Sequence, residues 1–225
     1  MEFFRRASPE SPGAANSRAA ESRSNEPGAG GSPAATGRIG IFPGSFNPVT
    51  VAHVALARAA LNIVDEVLFV LPRVFPHKHY SGATFEQRLE LLDTALSPEP
   101  RFSIASADSG LFFEIARDCR PHYHPEARFT LVCGRDAAER IANWNYGRPG
   151  AWQEMRREFD LLVAARGGEY LPAPDELASF GQILIDPACD AVSASEVRRR
   201  ISQGEPWEQY VPAAIHARVR EIYTV

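Results

Sequence analysis

The sequence predicts an α/β domain built on a doubly wound, Rossmann-like parallel sheet with helices on both faces. Two observations lead to this prediction. From Arg38 onward, short runs rich in Val, Ile, Leu and Phe alternate with segments of helical periodicity. Such near-continuous apolar runs are typical of parallel strands that helices cover on both faces. A chain of 225 residues has room for one domain of this kind.

The elements follow in order along the chain. Strands are predicted at 38–43, 66–71, 102–105, 128–133, 160–165 and 182–185. Helices are predicted at 53–62, 85–97, 111–119, 136–143, 150–158, 173–179, 194–203 and 211–223. We expect right-handed crossovers, and we expect ligands to bind beyond the carboxyl ends of the strands.

The N-terminal segment 1–37 differs in composition from the rest. It is rich in Pro, Gly, Ala, Ser, Glu and Arg, and it is almost free of apolar side chains after Phe4. Such a segment buries too little surface to offset the entropy of ordering, so we expect it to be disordered. It also lacks the apolar core of a secretory signal. The predicted organisation is a disordered tail at 1–37 and a folded domain at 38–225.

Charge and cysteine content exclude several classes of protein. The net charge is −4, and residues 1–38 carry five Arg and four Glu, which leaves −5 for the remainder. An acidic body without a basic run predicts no binding to nucleic acid or to membrane surfaces, and no apolar stretch approaches the ~20 residues of a membrane span. Three cysteines without paired spacing favour buried thiols in a reducing, cytoplasmic location. A homo-oligomer is compatible with this sequence.

The segment 44–53 is the most informative part of the chain. It reads G-S-F-N-P-V-T-V-A-H, and it joins the first predicted strand to the first predicted helix. The segment places main-chain N–H groups, the Thr50 hydroxyl and the His53 imidazole at a helix N-terminus, where phosphate binds readily. Neither G-x-G-x-x-G nor G-x-x-x-x-G-K-[ST] is present. We expect Phe46 to pack this turn against the sheet.

Two further strand ends carry candidate residues. The second strand leads into L-P-R-V-F-P-H-K-H at 71–79, a cationic loop containing Lys78 that is either a polyanion clamp or a solvated surface loop. Arg88, on the helix that follows, either contacts substrate or forms a surface salt bridge with Glu90 or Asp93. The fourth strand ends in G-R-D at 134–136, and Trp144 follows it as either a site residue or a lid or core residue.

The segment V-S-A-S-E-V-R at 192–198 begins a helix. Ser193 as N-cap and Glu196 three residues later predict a capping box. That pattern leaves Ser195 and Arg198 unexplained. These two residues lie three apart on one helix face, close to the positive helix end, which suits phosphate.

These motifs resemble the nucleotidylyltransferase superfamily, whose signatures read G-[GS]-[TS]-F-[DN]-P-x-[HT]-x-G-H and I-S-S-T-x-[IV]-R. The P-H-K loop and the G-x-D segment followed by Trp144 are most similar to bacterial nicotinate mononucleotide adenylyltransferases. The resemblance implies that ATP is bound by Gly44, Ser45, Phe46, His53, Gly134, Asp136, Ser193, Ser195 and Arg198. It implies that the second substrate is bound by Lys78, Arg88 and Trp144, and that catalysis involves His53, Thr50, Lys78 and Arg198.

The implied reaction transfers AMP from ATP to nicotinate mononucleotide, which releases pyrophosphate and forms deamido-NAD, a precursor of NAD. Mg²⁺ is expected as cofactor, held mainly by ATP phosphates, with no protein metal ligands. Two departures from the family pattern leave alternatives open: Ala52 replaces a glycine, and S-G-L-F-F-E-I-A at 109–116 replaces S-Y-T-x-x-T. The alternatives are adenylyl transfer to another phosphate such as phosphopantetheine, which Thr50 favours, and a catalytically inactive nucleotide-binding regulator.

Overall fold

The computed structural model describes residues 1–8, 37–74, 82–147, 149–164, 171–172, 179–189 and 191–224. The strands in these ranges are β1 Glu2–Arg5, β2 Arg38–Pro43, β3 Glu66–Pro72, β4 Phe102–Ala107, β5 Arg128–Gly134, β6 Phe159–Ala164 and β7 Phe180–Ile183. The α-helices are α1 Val51–Ala60, α2 Phe85–Leu96, α3 Phe112–Cys119, α4 Arg135–Ala142, α5 Ala151–Met155, α6 Ala194–Gln203 and α7 His216–Tyr223.

The sheet confirms the predicted α/β class. Its strand order is β1-β4-β3-β2-β5-β6-β7, and β2 to β7 are mutually parallel. The parallel strands, numbered among themselves, follow the order 3-2-1-4-5-6 of a Rossmann fold. The order reverses between β2 and β5, so the loops that leave these two strands flank the crevice where such sheets bind ligands.

Alternate side chains along each central strand enter two separate cores. Phe69 and Leu71 of β3 pack on one face of the sheet with residues of α1, α2, α6 and α7. Leu68 and Val70 of the same strand pack on the opposite face with residues of α3, α4 and α5. Successive side chains of a strand point to opposite faces, so a strand must be apolar throughout to line both cores. The predicted double winding is therefore confirmed.

Some predicted boundaries differ from the structure. Helix α1 begins two residues earlier than predicted, because Thr50 rather than Ala52 precedes its first turn. The last predicted helix, 211–223, starts with Pro212 and a 3₁₀ turn at Ala213–Ile215, and α7 proper begins at His216. The predicted helix at 173–179 lies outside the described residues except for its last position.

The N-terminal tail contains a strand that the prediction of disorder over 1–37 missed. Glu2–Arg5 pairs antiparallel with β4 at the edge of the sheet, so the sheet is mixed rather than wholly parallel. Phe3 packs against the core of one face, and the Arg6 guanidinium lies 3.4 Å from the centre of its ring. The prediction was wrong for these residues because the polar composition of the long segment concealed two adjacent phenylalanines. Residues 9–36 lie outside the described ranges.

The three thiols agree with the sequence-based expectation. Cys119, Cys133 and Cys189 are buried and form no disulfide. Burial raises the pKa of the Cys119 and Cys133 thiols to about 12. None of the helices in the described ranges is both long and apolar enough to cross a lipid bilayer.

Candidate active site

The loop after β2 is anchored to the sheet by Phe46. This residue has a φ of 43°, and its ring is almost completely buried, with the Phe42 and Phe69 rings at 5.6 and 5.4 Å. A Cβ on Gly44 would lie 2.7 Å from the Phe46 ring, so the close approach requires glycine. Phe46 therefore shapes the loop as expected from its apolar character, and the ATP contact that the resemblance implied stays a prediction.

Thr50 and His53 cap the first turn of α1 reciprocally. The Thr50 hydroxyl accepts from the His53 main-chain N–H at 3.4 Å, and the Thr50 main-chain N–H donates to His53 Nδ1 at 3.0 Å. Thr50 is fully buried. The hydroxyl therefore caps the helix and orients the imidazole. A direct role of Thr50 at the phosphates stays a prediction.

The same contacts define the tautomer of His53. Nδ1 accepts a main-chain N–H and lies 2.8 Å from the Thr50 hydroxyl, so it carries no proton of its own. A neutral ring must then carry its proton on Nε2. The Phe46 ring packs edge-on at 5.3 Å and holds the imidazole in place. His53 is thus a fixed neutral hydrogen-bond donor, and it lines the cavity described below.

Arg198 joins the two motifs that the sequence singled out. Its Nη1 donates to the main-chain oxygen of Asn47 at 2.5 Å, and its Nη2 donates to Ser195 Oγ at 3.4 Å. Asn47 belongs to the turn after β2, whereas Ser195 lies in the first turn of α6. The two distant segments are therefore in contact, although Ser195 and Arg198 are not among the residues that line the cavity described below.

Ser193 forms half of the predicted capping box. Its side chain accepts from the Glu196 main-chain N–H at 3.1 Å, as expected for an N-cap. The Glu196 carboxylate instead pairs with Arg199 at 2.7 Å and with Arg200 at 2.8 Å. Hydrogen bonds from these two guanidinium groups lower the pKa of Glu196 to about 2. The carboxylate pairs with these arginines instead of completing the capping box because Arg199 and Arg200 follow Glu196 three and four positions later, on the same side of the helix.

Tyr223 is a site residue for which the sequence suggested no role. Its hydroxyl donates to the side-chain oxygen of Asn47, so the end of α7 and Arg198 hold the same turn residue. Burial raises the pKa of this phenol. The partners are 176 positions apart, and no local pattern indicates the contact.

Arg88 holds the loop after β2 through hydrogen bonds to main-chain oxygens. It is only 3% exposed, and its guanidinium donates to the main-chain oxygens of Ser45 at 2.9 Å and Thr84 at 3.3 Å. The alternative of a surface salt bridge was wrong, because Glu90 pairs with Arg218 on α7. The described geometry makes Arg88 a positioning residue for the loop, and a direct substrate contact stays a prediction.

A cavity of about 350 Å³ opens at the switch point between β2 and β5. Of the predicted site residues, Gly44, Ser45, His53, Asp136 and Trp144 line it together. The other lining residues are Pro43, Gly110, Leu111, Phe112, Leu131, Cys133, Ala137, Arg140, Ile141 and Tyr146. The position agrees with the expectation that ligands bind beyond the carboxyl ends of the strands.

The wall formed by α4 carries polar and aromatic groups. Gly134 is the N-cap of α4, and Asp136 lies in its first turn with a carboxylate that is 83% exposed and 3.7 Å from Arg135. Trp144 follows the helix, is half-buried and lines the cavity, so it is not an enclosed core residue. Burial raises the pKa of Tyr146, whose hydroxyl donates to the Ile141 main-chain oxygen at 2.8 Å, to about 12.

The segment 109–116, which departs from the family pattern, also contributes to the cavity lining. Gly110, Leu111 and Phe112 line the cavity directly. Leu111 occupies the N-cap of α3 without a side-chain hydrogen bond, where hydroxyl side chains are common. This part of the lining is therefore apolar.

Lys78 lies outside the described residues, as does most of the cationic loop at 71–79. The described part includes Arg73, which pairs with Glu2 of β1 at 2.8 Å and lies 4.4 Å from the Phe85 ring centre. This cation of the loop is therefore engaged by the N-terminal strand and α2.

Proteins of known sequence resemble this chain over most of its length. A protein of Bordetella avium named probable nicotinate-nucleotide adenylyltransferase is 31% identical over 198 residues, which cover 82% of this chain and 95% of that protein. A protein of the same name from Thermus thermophilus is 28% identical over 191 residues, which cover 82% and 97%.

Solved structures share the fold. The Plasmodium falciparum nicotinic acid mononucleotide adenylyltransferase complexed with NaAD superimposes with a TM-score of 0.61 at 20% identity. The same enzyme complexed with APC gives a TM-score of 0.62. Both alignments cover 82% of this chain and 95% of the other.

The family assignment rests on a match that spans most of the folded domain. The sequence profile of the cytidylyltransferase-like family matches residues 41–200, which include both motifs and every lining residue of the cavity. This chain is a member of the cytidylyltransferase-like family.

Proposed function

We propose that this protein is an adenylyltransferase that transfers AMP from ATP to nicotinate mononucleotide. A phosphate oxygen of the mononucleotide forms a bond to the α-phosphorus of ATP, and the bond from that phosphorus to the oxygen bridging to the β-phosphorus breaks. Pyrophosphate leaves with that oxygen, and deamido-NAD is the product. The observation that carries the proposal is the hydrogen bond from Arg198 to Asn47, which joins the motif at 192–198 to the motif at 44–53, and residues of the latter line the cavity. The names of the Bordetella and Thermus relatives support it.

The chemistry needs little from a general base. A phosphate monoester has its second pKa near ~6, so its attacking oxygen is already anionic at neutral pH. The protein must hold two anions in line and stabilise the charge on the leaving pyrophosphate. His53 Nδ1 already accepts the Thr50 main-chain N–H, so it cannot accept a proton without losing that contact. His53 therefore suits the role of a hydrogen-bond donor rather than that of a general base.

Residues at the N-termini of α1 and α6 would bind different parts of the triphosphate. His53 Nε2 and the N-terminus of α1 would contact the α- and β-phosphates, and Ser195 with Arg198 at the start of α6 would bind the departing pyrophosphate. Ser193 shapes that second helix end as its cap. Lys78 stays a predicted neutraliser of the triphosphate.

Mg²⁺ would enter this site bound to ATP. The groups that converge on the loop are an imidazole N–H, a hydroxyl and a guanidinium, which are donors suited to phosphate oxygens and not to a cation. A bound Mg²⁺ would neutralise charge on the triphosphate, held mainly through phosphate oxygens and water.

The cavity supports a pyridine ring as the group carried by the second substrate. Trp144 lines the cavity together with the apolar side chains of Leu111 and Phe112. A flat aromatic residue suits a ring that offers a π-face and few hydrogen-bonding groups. The apolar residues that replace hydroxyls at 109–116 preserve a surface for such a ring.

One assay tests the proposal against its rivals. The protein is incubated with ATP and Mg²⁺, nicotinate mononucleotide or phosphopantetheine is added, and pyrophosphate and the adenylylated product are measured. Release with nicotinate mononucleotide and a product with the mass of deamido-NAD is the expected result. Release with phosphopantetheine alone would assign another acceptor. Retained ATP binding without release from any acceptor would indicate a regulator.

A further inference from the structure

Arg140 is a cation in the cavity that the proposed chemistry does not use. It lies on α4, it is exposed, and it lines the cavity. Its guanidinium makes no ion pair or hydrogen bond within the residues that the structure describes. Among the described lining residues it is the only arginine or lysine.

The acidic groups of α4 are engaged elsewhere. Arg135 lies 3.7 Å from the Asp136 carboxylate and 3.6 Å from the Glu139 carboxylate. Asp136 also lines the cavity, so its negative charge faces the same space as Arg140. Arg135 offsets that charge, and this leaves Arg140 available to an anionic ligand.

Arg140 shares the cavity with the proposed ring-binding residue, Trp144. Trp144 follows four positions later, and its main-chain N–H donates to the Ile141 oxygen at 3.3 Å, so the chain still turns there. Trp144 lies two residues beyond the end of α4, and both side chains line the cavity. The Tyr146 hydroxyl is engaged by Ile141, so Tyr146 contributes mainly its ring to the lining.

We propose that Arg140 binds the carboxylate on the pyridine ring and thereby selects nicotinate mononucleotide over nicotinamide mononucleotide. This inference rests on the proposed function. The two mononucleotides have the same ring and nearly the same shape, so aromatic and apolar contacts hold them about equally. They differ in one charge, and the arginine fork matches a carboxylate through two parallel hydrogen bonds. A carboxamide offers only one acceptor atom to that fork.

The test compares kcat/KM for the two mononucleotides at saturating Mg-ATP in the wild type, Arg140→Ala, Arg140→Lys and Arg157→Ala. Arg157 is exposed and lies outside the cavity, so its removal controls for the lost charge. Arg140→Ala is expected to lower kcat/KM for nicotinate mononucleotide about 10- to 100-fold, the range for a hydrogen bond to a charged group. The value for nicotinamide mononucleotide should change less than about 3-fold, and Arg140→Lys should recover part of the selectivity.

Equal losses for both acceptors, or no loss for nicotinate mononucleotide, would overturn the assignment. A wild type that transfers AMP to neither acceptor would refute the proposed function, and calorimetry would then test Arg140 separately. Selective binding of nicotinate mononucleotide that Arg140→Ala abolishes would support the inference. Absent or unselective binding to the wild type would refute it.

Discussion

The guanidinium of Arg198 donates to the main-chain oxygen of Asn47 at 2.5 Å, although 151 positions separate the two residues. Asn47 is also bonded through its side chain to Tyr223, so three parts of the chain meet at one turn. A cationic side chain that both holds the turn and lies near the N-terminus of α6 can position the loop and still attract an anion.

Replacement of Arg198 should lower kcat far more than replacement of its neighbour Arg199. Arg198→Ala is expected to lower kcat about 100-fold or more, because a preorganised charged donor is lost and the turn at Asn47 loses its support. Arg199→Ala is the matched control: that side chain pairs with Glu196 and Glu205, both partly exposed, and should leave kcat nearly unchanged. Steady-state kinetics with circular dichroism as a check of folding measure the difference. Similar losses in both variants would contradict the assignment.

His53→Ala should lower turnover about 100- to 1000-fold, the range for removing one preorganised donor. The fixed Nε2 proton follows from the contact between Nδ1 and the Thr50 main-chain N–H. His124→Ala, in a loop that does not line the cavity, is the control and should retain wild-type turnover. An unchanged rate in folded His53→Ala would remove this residue from the site.

Tyr223→Phe tests the second contact to Asn47. The lost hydrogen bond is expected to cost about 1 kcal/mol of unfolding free energy, which corresponds to a fall in Tm of about 2–4 °C. We also expect a higher KM for ATP, because the loop is less firmly held. Tyr210→Phe is the control, since the Tyr210 ring packs under the Arg200 guanidinium at 4.7 Å and its hydroxyl makes no described hydrogen bond. Equal melting temperatures for the wild type and Tyr223→Phe would count against the contact.

The two phenylalanines of β1 should differ in their contribution to stability. Phe3 packs against the core, whereas Phe4 is 39% exposed. Phe3→Ala is therefore expected to cost about 1–2 kcal/mol, less than the loss for a fully buried phenylalanine, and Phe4→Ala should cost less. Urea denaturation measures both, and transfer activity should be retained in each variant. A larger effect from Phe4→Ala would indicate that the strand pairs in another register.

The buried thiols predict resistance to alkylation and a loss of stability in alkaline solution. Because burial raises the pKa of Cys119 and Cys133 to about 12, these two thiols of the native protein should react very little with iodoacetamide at pH 8. All three cysteines should react after unfolding in guanidinium chloride.

The raised pKa values of Cys119 and Cys133 determine how the free energy of unfolding changes with pH. The unfolded chain releases these protons near pH 9 and the folded chain near pH 12, so the free energy of unfolding should fall between these values. Rapid labelling of Cys133, which lines the cavity, in native protein at pH 8 would contradict the described burial.

The sequence alone determined the fold class, the strands from β2 to β7 to within a few residues, and the two motifs at the start of α1 and α6. These features are readable because helix and strand periodicity, caps and glycine turns are local properties of neighbouring residues. The apolar runs of β3 and β5 had to be continuous because each strand lines two cores.

Only the tertiary structure decided the roles of individual side chains at the site. Thr50 is a buried helix cap, and Arg88 holds the loop after β2. Tyr223 forms a second contact to Asn47. Arg140 lines the same cavity as His53. The N-terminal strand also joined β4 across about a hundred positions. The cause is physical: a polar side chain takes the partner that folding brings within hydrogen-bonding distance, and that partner lies outside any local window of sequence.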